Sequence, residues 1–283
     1  MTPISTVRTV AELRRQIGAW RSEGATIALV PTMGALHAGH LSLVRLAGQK
    51  ATRVVASLFV NPTQFAPTED FQSYPRNEER DAALLKADGC DLLYAPEPDE
   101  MYPDGFATTV TVAAETTSLE GAVRPDHFAG VATVVAKLLI QAAPDLAVFG
   151  EKDYQQLHVI RRLTADLNLP VEIIGAPIVR DSDGLALSSR NAYLSAPERL
   201  IAPGLHRALE AAAAALRAGM DVARVEAEAI QSVLGAGFES VDYVEARSPD
   251  RLARLGPGAH SGEARILAAA RLGRTRLLDN IQV

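Results

Sequence analysis

The chain has a single cysteine, Cys90, among 283 residues. One thiol cannot close an intrachain disulfide, so a reducing, cytoplasmic setting is expected. No base motif accompanies Cys90, which reads as a small apolar residue buried at the end of a helix rather than as a nucleophile. Long hydrophobic runs are also missing. The longest, 131–143, contains Lys137 and Gln141 and is too short and too polar to span a bilayer. Arg8, Glu12, Arg14 and Arg15 interrupt any apolar segment of a secretory leader. A soluble protein with no membrane partner is expected. Basic residues are outnumbered, 28 Lys and Arg against 34 Asp and Glu, for a formal charge of −6. That balance argues against a broad nucleic-acid surface but leaves room for a small basic pocket for phosphates. The histidines His37, His40, His127, His158, His206 and His260 lack the cysteine partners or H-E-x-x-H spacing of a zinc site. His158 reads as structural. There is no Walker lysine motif, and Ser188 and Ser189 lack the G-x-S-x-G elbow of a hydrolase.

What is present alternates. Thr9 to Glu12 forms a capping box for a helix through about Arg21. Ile27 to Val30 is a strand stopped by Pro31, followed by a helix from about His37 to Gln49 with Leu41, Val44 and Leu46 as apolar positions. A second strand, Arg53 to Val60, ends at Asn61-Pro62. Helices are predicted over 76–89, 128–142 and 154–168, and strands over 91–94, 146–149 and 171–179. This order predicts an α/β fold, a Rossmann-like doubly wound parallel sheet, over residues 1–180. Beyond about Asp181 the texture changes. An alanine-rich helix over 198–219, kinked at Pro203-Gly204, precedes a helix capped by Asp221. Three strand-like runs follow, at 241–246, 265–270 and 275–281. Residues 181–283 are therefore expected to form a smaller α+β C-terminal domain.

Four segments carry candidate chemistry. The first, Pro31-Thr-Met-Gly-Ala-Leu-His37-Ala-Gly39-His40, follows a parallel strand, where ligands bind in such sheets. His37 and His40 share one face of the first helical turn, beside free N–H groups and the positive end of the helix dipole. Two imidazoles there suit a phosphate; taken alone, the motif is equally compatible with two surface histidines. The second, Leu58-Phe-Val-Asn61-Pro-Thr-Gln64-Phe65, offers an amide that can read a hydroxyl and a carboxylate together, or a solvated turn. The third, Phe149-Gly150-Glu-Lys152-Asp153-Tyr-Gln155-Gln156, offers a compact cation beside a glycine, or a charged loop. The fourth, Gly184-Leu-Ala-Leu187-Ser188-Ser189-Arg190-Asn191, offers hydroxyls and a guanidinium for a polyphosphate, or a polar interdomain turn.

These segments, together with Phe71-Gln-Ser-Tyr74-Pro75-Arg76, Arg124-Pro125-Asp-His127-Phe128-Ala-Gly130-Val131 and Arg276-Leu-Leu-Asp279-Asn280-Ile281, closely resemble the pantothenate synthetase (pantoate–β-alanine ligase) family. The likeness runs in order over nearly the whole chain. The FVNPTQF and GEKDYQQ blocks are far more specific than H-x-G-H, which many nucleotidyl transferases share. The resemblance implies an ATP-dependent condensation of (R)-pantoate with β-alanine through a pantoyl-adenylate, giving pantothenate, AMP and pyrophosphate. It implies a cytoplasmic homodimer and magnesium bound with ATP, without naming protein ligands for the metal. Carried over by position, the ATP contacts are Met33, Gly34, Ala35, Leu36, His37, Ala38, Gly39, His40, Gly150, Glu151, Lys152, Asp153, Val179, Leu187, Ser188, Ser189 and Arg190. His40 would be the catalytic histidine, with His37, Lys152 and Arg190 offsetting phosphate charge. Gln64 would contact pantoate and β-alanine, and Gln156 pantoate. The rival readings are a nucleotidyl transferase with a stable nucleotidyl product and a nucleotide-binding regulator without turnover.

Overall fold

The structure is a computed structural model that describes residues 3–67, 69–114 and 116–283. The chain divides into two compact units, Met1–Glu151 with Gln156–Pro177, and Lys152–Gln155 with Ile178–Val283. The division falls between Pro177 and Ile178, three residues before the position read from the sequence. The four residues Lys152–Gln155 group with the second unit.

In the first unit β1 (Ser5–Val7), β2 (Ile27–Thr32), β3 (Arg53–Leu58), β4 (Leu92–Tyr94), β5 (Leu146–Gly150) and β6 (Glu172–Ala176) form one sheet, in the order β1-β4-β3-β2-β5-β6, with every pairing parallel. Succession runs outward from β2 in one direction through β3 and β4, and in the other through β5 and β6. The order reverses between β2 and β5, and a crevice opens at such a switch point beyond the carboxyl ends of the strands. Alternate residues explain why both faces are covered. Ile27 and Leu29 pack with α1 (Val10–Ser22), α6 (His127–Ala142) and α7 (Tyr154–Asp166), whereas Ala28 and Val30 pack with α2 (Ala38–Lys50) and α3 (Glu78–Ala87). Two four-residue helices, α4 (Pro98–Met101) and α5 (Glu120–Val123), lie between α3 and α6.

Several local readings meet the structure directly. Thr9 and Glu12 make the capping box of α1. Cys90 lies buried just beyond α3; its sulfur donates to the carbonyls of Val54 and Leu92, and burial pushes its thiol up to about 12. On α2 the buried face is Leu43, Val44 and Ala47, with Leu41 and Leu46 only half-buried. The buried stripe is therefore displaced from the expected one, with Leu43 and Ala47 in place of Leu41 and Leu46 beside Val44. Strand β1 has no counterpart in the sequence reading; three residues carry too little pattern to distinguish a strand from a loop.

In the second unit β7 (Ser240–Arg247), β8 (Arg265–Leu272) and β9 (Thr275–Gln282) form an antiparallel sheet. The predicted kinked helix is two helices, α8 (Ala196–Ile201) and α9 (Gly204–Arg217). Pro203 has no N–H to continue the ladder, so the chain restarts. The alanines of α9 then serve packing. Ala208, Ala212 and Ala213 are buried with Leu205, Leu209 and Leu216, in one core with α10 (Val222–Gly235) and the sheet.

One glycine sets how closely α6 meets the loop after β3. On α6, a Cβ at Gly130 would stand 2.6 Å from Thr63 C and 2.7 Å from Gln64 N, so the helix meets the loop after β3 backbone to backbone. Gly130→Ala should destabilise the protein by about 1–3 kcal/mol, the ordinary cost of overpacking. Urea unfolding measures this; an unchanged midpoint and slope would show that the loop moves aside freely.

Candidate active site

Strand β2 ends at Thr32, whose hydroxyl donates to Ser57 O at 2.7 Å and ties the ends of β2 and β3 together. The chain then turns through Gly34 (φ 85°) and Ala35 (φ 51°). The second of these is the left-handed region without the freedom of glycine, and it is held from outside. The carboxylate of Asp81, on α3 and fully buried, accepts the N–H of Ala35 at 2.8 Å and of Leu36 at 3.0 Å. There is little room to spare, since a Cβ on Gly34 would lie 3.1 Å from Asp81 Oδ2.

The turn delivers His37 to the N-cap of α2, one residue outside the helix rather than within its first turn. Its Nδ1 accepts the N–H of Gly39 at 3.1 Å, and His40 Nδ1 accepts the N–H of His37 at 3.4 Å, a reciprocal capping box made by two imidazoles. The ring centroids are 4.1 Å apart. Because each Nδ1 is an acceptor, each neutral ring carries its proton on Nε2. The pair thus presents N–H donors at the amino end of a helix, at the sheet's switch point, which is the electrostatic character an oxyanion of phosphate requires.

The loop after β3 is joined to this one. Gln64 Nε2 donates to Met33 Sδ at 3.1 Å, and Gln64 Oε1 accepts from Asn61 Nδ2 at 3.1 Å. Asn61 is buried; its amide also donates to Gly130 O, and its carbonyl oxygen accepts from Tyr102 Oη at 2.7 Å. The Gln64 backbone is gripped from the other side. Arg124 binds Glu69 through Nε at 2.6 Å and Nη2 at 2.7 Å, and its Nη1 lies 3.1 Å from His127 Nε2. His127 Nδ1 is 2.9 Å from Gln64 O. A guanidinium can only donate and a carbonyl can only accept, so His127 takes the proton on Nδ1. Burial first, and then the charge of Arg124, push His127 from 6.5 down to about 4, so it is neutral at pH 7. Burial would raise Glu69, but hydrogen bonding and charge from Arg124 hold it below the ordinary carboxylate range. At the end of β5, Gly150 and Glu151 leave the same edge of the sheet, and Gln156 is half-buried in the first turn of α7.

The second unit gathers the other candidates. Leu187 N donates to Val179 O at 2.9 Å, and Arg180 bridges to Ala186, so the chain doubles back. Ser188 then caps a short 3-10 turn, Ser189–Tyr193, by accepting the N–H of Arg190. Lys152, Ser188, Arg190, Asn191, Arg276 and Asp279 line one pocket. Lys152 Nζ lies 3.4 Å from Asp153 Oδ1. The structure therefore brings Met33 together with Gln64, and His37 with His40, on adjacent loops of the first unit, and Lys152, Ser188 and Arg190 in one pocket of the second. Sequence reasoning assigned no role to Asp81, Asn61 or Arg276. Asp81 reaches Ala35, 46 positions away, Asn61 reaches Gly130, 69 away, and Arg276 reaches Asp242, 34 away; although Asn61 and Arg276 stand within noted motifs, nothing local names those distant partners.

The chain is similar over nearly its whole length to known proteins. The family model described as pantoate-beta-alanine ligase matches residues 5–282. A pantothenate synthetase of Paramagnetospirillum magneticum is 60% identical over 283 residues, covering 100% of this chain and 99% of that protein. The crystal structure of pantothenate synthetase from Thermus thermophilus superposes with a TM-score of 0.92 at 49% identity, over 98% of this chain and 99% of that one. A pantoate-beta-alanine ligase from Francisella tularensis, complexed with beta-gamma ATP and beta-alanine, matches with a TM-score of 0.81 at 32% identity, over 98% and 97% of the two chains.

The His127 geometry has a pH signature. The folded state resists protonating His127 while the unfolded chain accepts the proton below 6.5. Its contribution to stability is therefore complete above about pH 6.5, falls as the pH drops towards about 4, and is flat below. Denaturant unfolding of wild type and His127→Gln between pH 7.5 and 4.5 should show their stability difference shrinking. A constant difference across that window would contradict a neutral, doubly bonded His127.

Proposed function

The chain belongs to the pantoate–β-alanine ligase family, and from that premise we propose how its residues divide the work of condensing pantoate with β-alanine using ATP. The observation that carries the reading is the paired imidazole cap of α2 at the switch point of the sheet, with both Nε2 atoms as donors.

A carboxylate cannot be displaced by an amine, because oxide does not leave. In the first step a pantoate carboxylate oxygen bonds to the α-phosphorus of ATP and the bond to the β-phosphate breaks, releasing pyrophosphate. In the second, the β-alanine nitrogen bonds to the acyl carbon and the carbon–oxygen bond to AMP breaks. His40, supported by His37, donates to phosphate oxygens as charge builds on them. Residues Met33 to Leu36, Ala38, Gly39, Gly150, Glu151 and Asp153 shape the nucleotide site. Lys152 and Arg190 oppose phosphate charge, and Val179 with Leu187, Ser188 and Ser189 presents backbone and hydroxyl groups. Gln64 reads pantoate and β-alanine, and Gln156 reads pantoate. The placement of Gln64 between Asn61 and Met33 supports this, because an amide held at both ends discriminates hydroxyl and carboxylate groups without reorganising.

Among the described residues, no three or more His, Cys, Asp or Glu side chains converge as a metal cage. Magnesium bound with ATP is part of this reading through the family resemblance, which names no protein ligand for it. Magnesium would supply neutralising charge for the triphosphate. A cytoplasmic homodimer belongs to the same reading and rests on the family resemblance. Among the described residues no helix is long and apolar enough to cross a membrane.

His40→Ala should lower turnover at saturating substrates by about 10²–10³, as for loss of one transition-state donor, with the circular dichroism spectrum unchanged. Near-native turnover in the folded variant would remove His40 from the chemistry. The order of steps has its own test. The protein with magnesium, ATP and pantoate, but no β-alanine, should exchange labelled pyrophosphate into ATP, because adenylation reverses while its products stay bound. An acyl-phosphate route predicts ADP and no exchange, a nucleotidyl transferase a stable adenylylated product, and a regulator no product. Absence of exchange in a preparation that makes pantothenate once β-alanine is added would rule out a reversible adenylate.

A further inference from the structure

Strand β9 carries two buried polar residues side by side, Asp279 and Asn280, and each reaches a different segment of the second unit. Asn280 Nδ2 donates to the backbone carbonyl of Lys152 at 2.9 Å. The orientation of that amide is fixed, because Asn280 Oδ1 accepts from Arg265 Nη1 at 2.8 Å. Arg265 is itself buried, with its guanidinium carbon 3.8 Å from the centroid of the Tyr154 ring, two residues beyond Lys152. The Tyr154 hydroxyl donates to Pro249 O at 3.0 Å. The short turn that carries Lys152 is thus held at its own carbonyl and at the ring that follows it.

Asp279 serves the other segment. Arg180 donates to both its oxygens, at 2.7 and 2.8 Å, and also to Asn280 O at 3.2 Å and Gly184 O at 3.1 Å. Arg180 and Gly184 belong to the doubled-back stretch that leads into Ser188 and Arg190. Asn191 Nδ2 closes that stretch on Ala186 O at 3.0 Å. Two adjacent residues of one strand therefore set the spacing between the Lys152 turn and the Ser188–Arg190 turn, whose side chains line one pocket.

We propose that Asp279 and Asn280 are positioning residues for ATP. Asn280 acts through Lys152, and Asp279 acts through Arg180 on the Ser188–Arg190 turn, so that the two sets of phosphate ligands are already spaced before the nucleotide arrives. The inference rests on the reading of Lys152 and Arg190 as phosphate ligands. Its physical basis is that a lysine bound to a phosphate contributes most when its backbone cannot retreat. Strand β9 is paired along its length with the central strand β8, so both residues stand on a hydrogen-bonded sheet.

The test is a double-mutant cycle on the full chain with Asn280→Ser, Asn280→Asp and Lys152→Ala, reading calorimetric affinity for ATP in magnesium and the KM for pantoate. Asn280→Ser should weaken ATP binding about tenfold, the usual scale for one buried hydrogen bond lost. Pantoate KM should stay within about twofold, since a support acting only on phosphate ligands leaves it alone. Asn280→Asp keeps the shape and the acceptor for Arg265 but turns an oxygen towards the Lys152 carbonyl, so it should be at least as weak. It carries the comparison if the serine variant does not fold. In the Lys152→Ala background either change should alter ATP affinity less than about twofold, because the group it positions is gone. Unchanged ATP affinity in a folded Asn280 variant, equal losses for ATP and pantoate, or effects that multiply with Lys152→Ala would overturn the inference alone. A Lys152→Ala protein that binds ATP like wild type would overturn it together with the assignment of Lys152.

Discussion

Two backbone N–H groups, those of Ala35 and Leu36, converge on the buried carboxylate of Asp81, and the geometry of the first unit's site depends on that contact. A non-glycine residue in the left-handed region costs on the order of 1–3 kcal/mol. A hydrogen bond to a charged acceptor contributes about 1.5–3 kcal/mol, so two of them offset the strain at Ala35 with some margin. The carboxylate also avoids the usual cost of a buried charge, because its oxygens are met by oriented N–H dipoles. Everything downstream inherits its position from this turn. The N-cap at His37, the register of α2 and the direction of both Nε2 protons follow from where Leu36 leaves it.

The loop after β3 is held by a different principle. Its grip on Gln64 comes from neutral or neutralised groups arranged so that no donor meets a donor. Arg124 spends part of its hydrogen-bonding capacity on Glu69, His127 relays it to a carbonyl, and Asn61 divides its amide between Gln64 and Gly130. Such a chain fixes the tautomer of His127 and the amide orientation of Asn61 together, so the side chain of Gln64 has one arrangement and not several. On the proposed reading of Gln64 as a contact to pantoate and β-alanine, that restriction leaves the amide already aimed.

Much of this is legible in the sequence where the signal is local. Asn61-Pro62 lies just beyond the end of β3, and the alternation of strands and helices marks the parallel sheet, but β2 runs on through Pro31 to Thr32, past the stop the proline suggested, because its N–H is not needed where Pro31 pairs with Ser57. The capping pattern at Thr9 and the punctuation before His37 are equally readable. The H-x-G-H segment cannot by itself separate a functional pair from two surface histidines. The reciprocal cap gives that pair a defined geometry, a property of backbone angles and not of spelling. Val179 is legible only through family resemblance, because a residue that contributes its carbonyl to a turn has no side-chain signature. Asp81 is invisible for a related reason. It sits among Glu78, Glu79 and Arg80 on a helix that reads as an ordinary charged surface, and only the fold turns that one carboxylate inward.

Cys90 has a consequence of a practical kind. Alkylating agents and peroxides attack thiolates, and this sulfur is sealed behind the sheet with its ionisation pushed up to about 12. While the chain is folded, reagents that need an exposed thiolate do not reach this sulfur. When it unfolds, one sulfur emerges at once. Mass added by a thiol reagent therefore reports openings that expose the end of α3 and strand β4, which makes this solitary cysteine a built-in probe of how often that region opens.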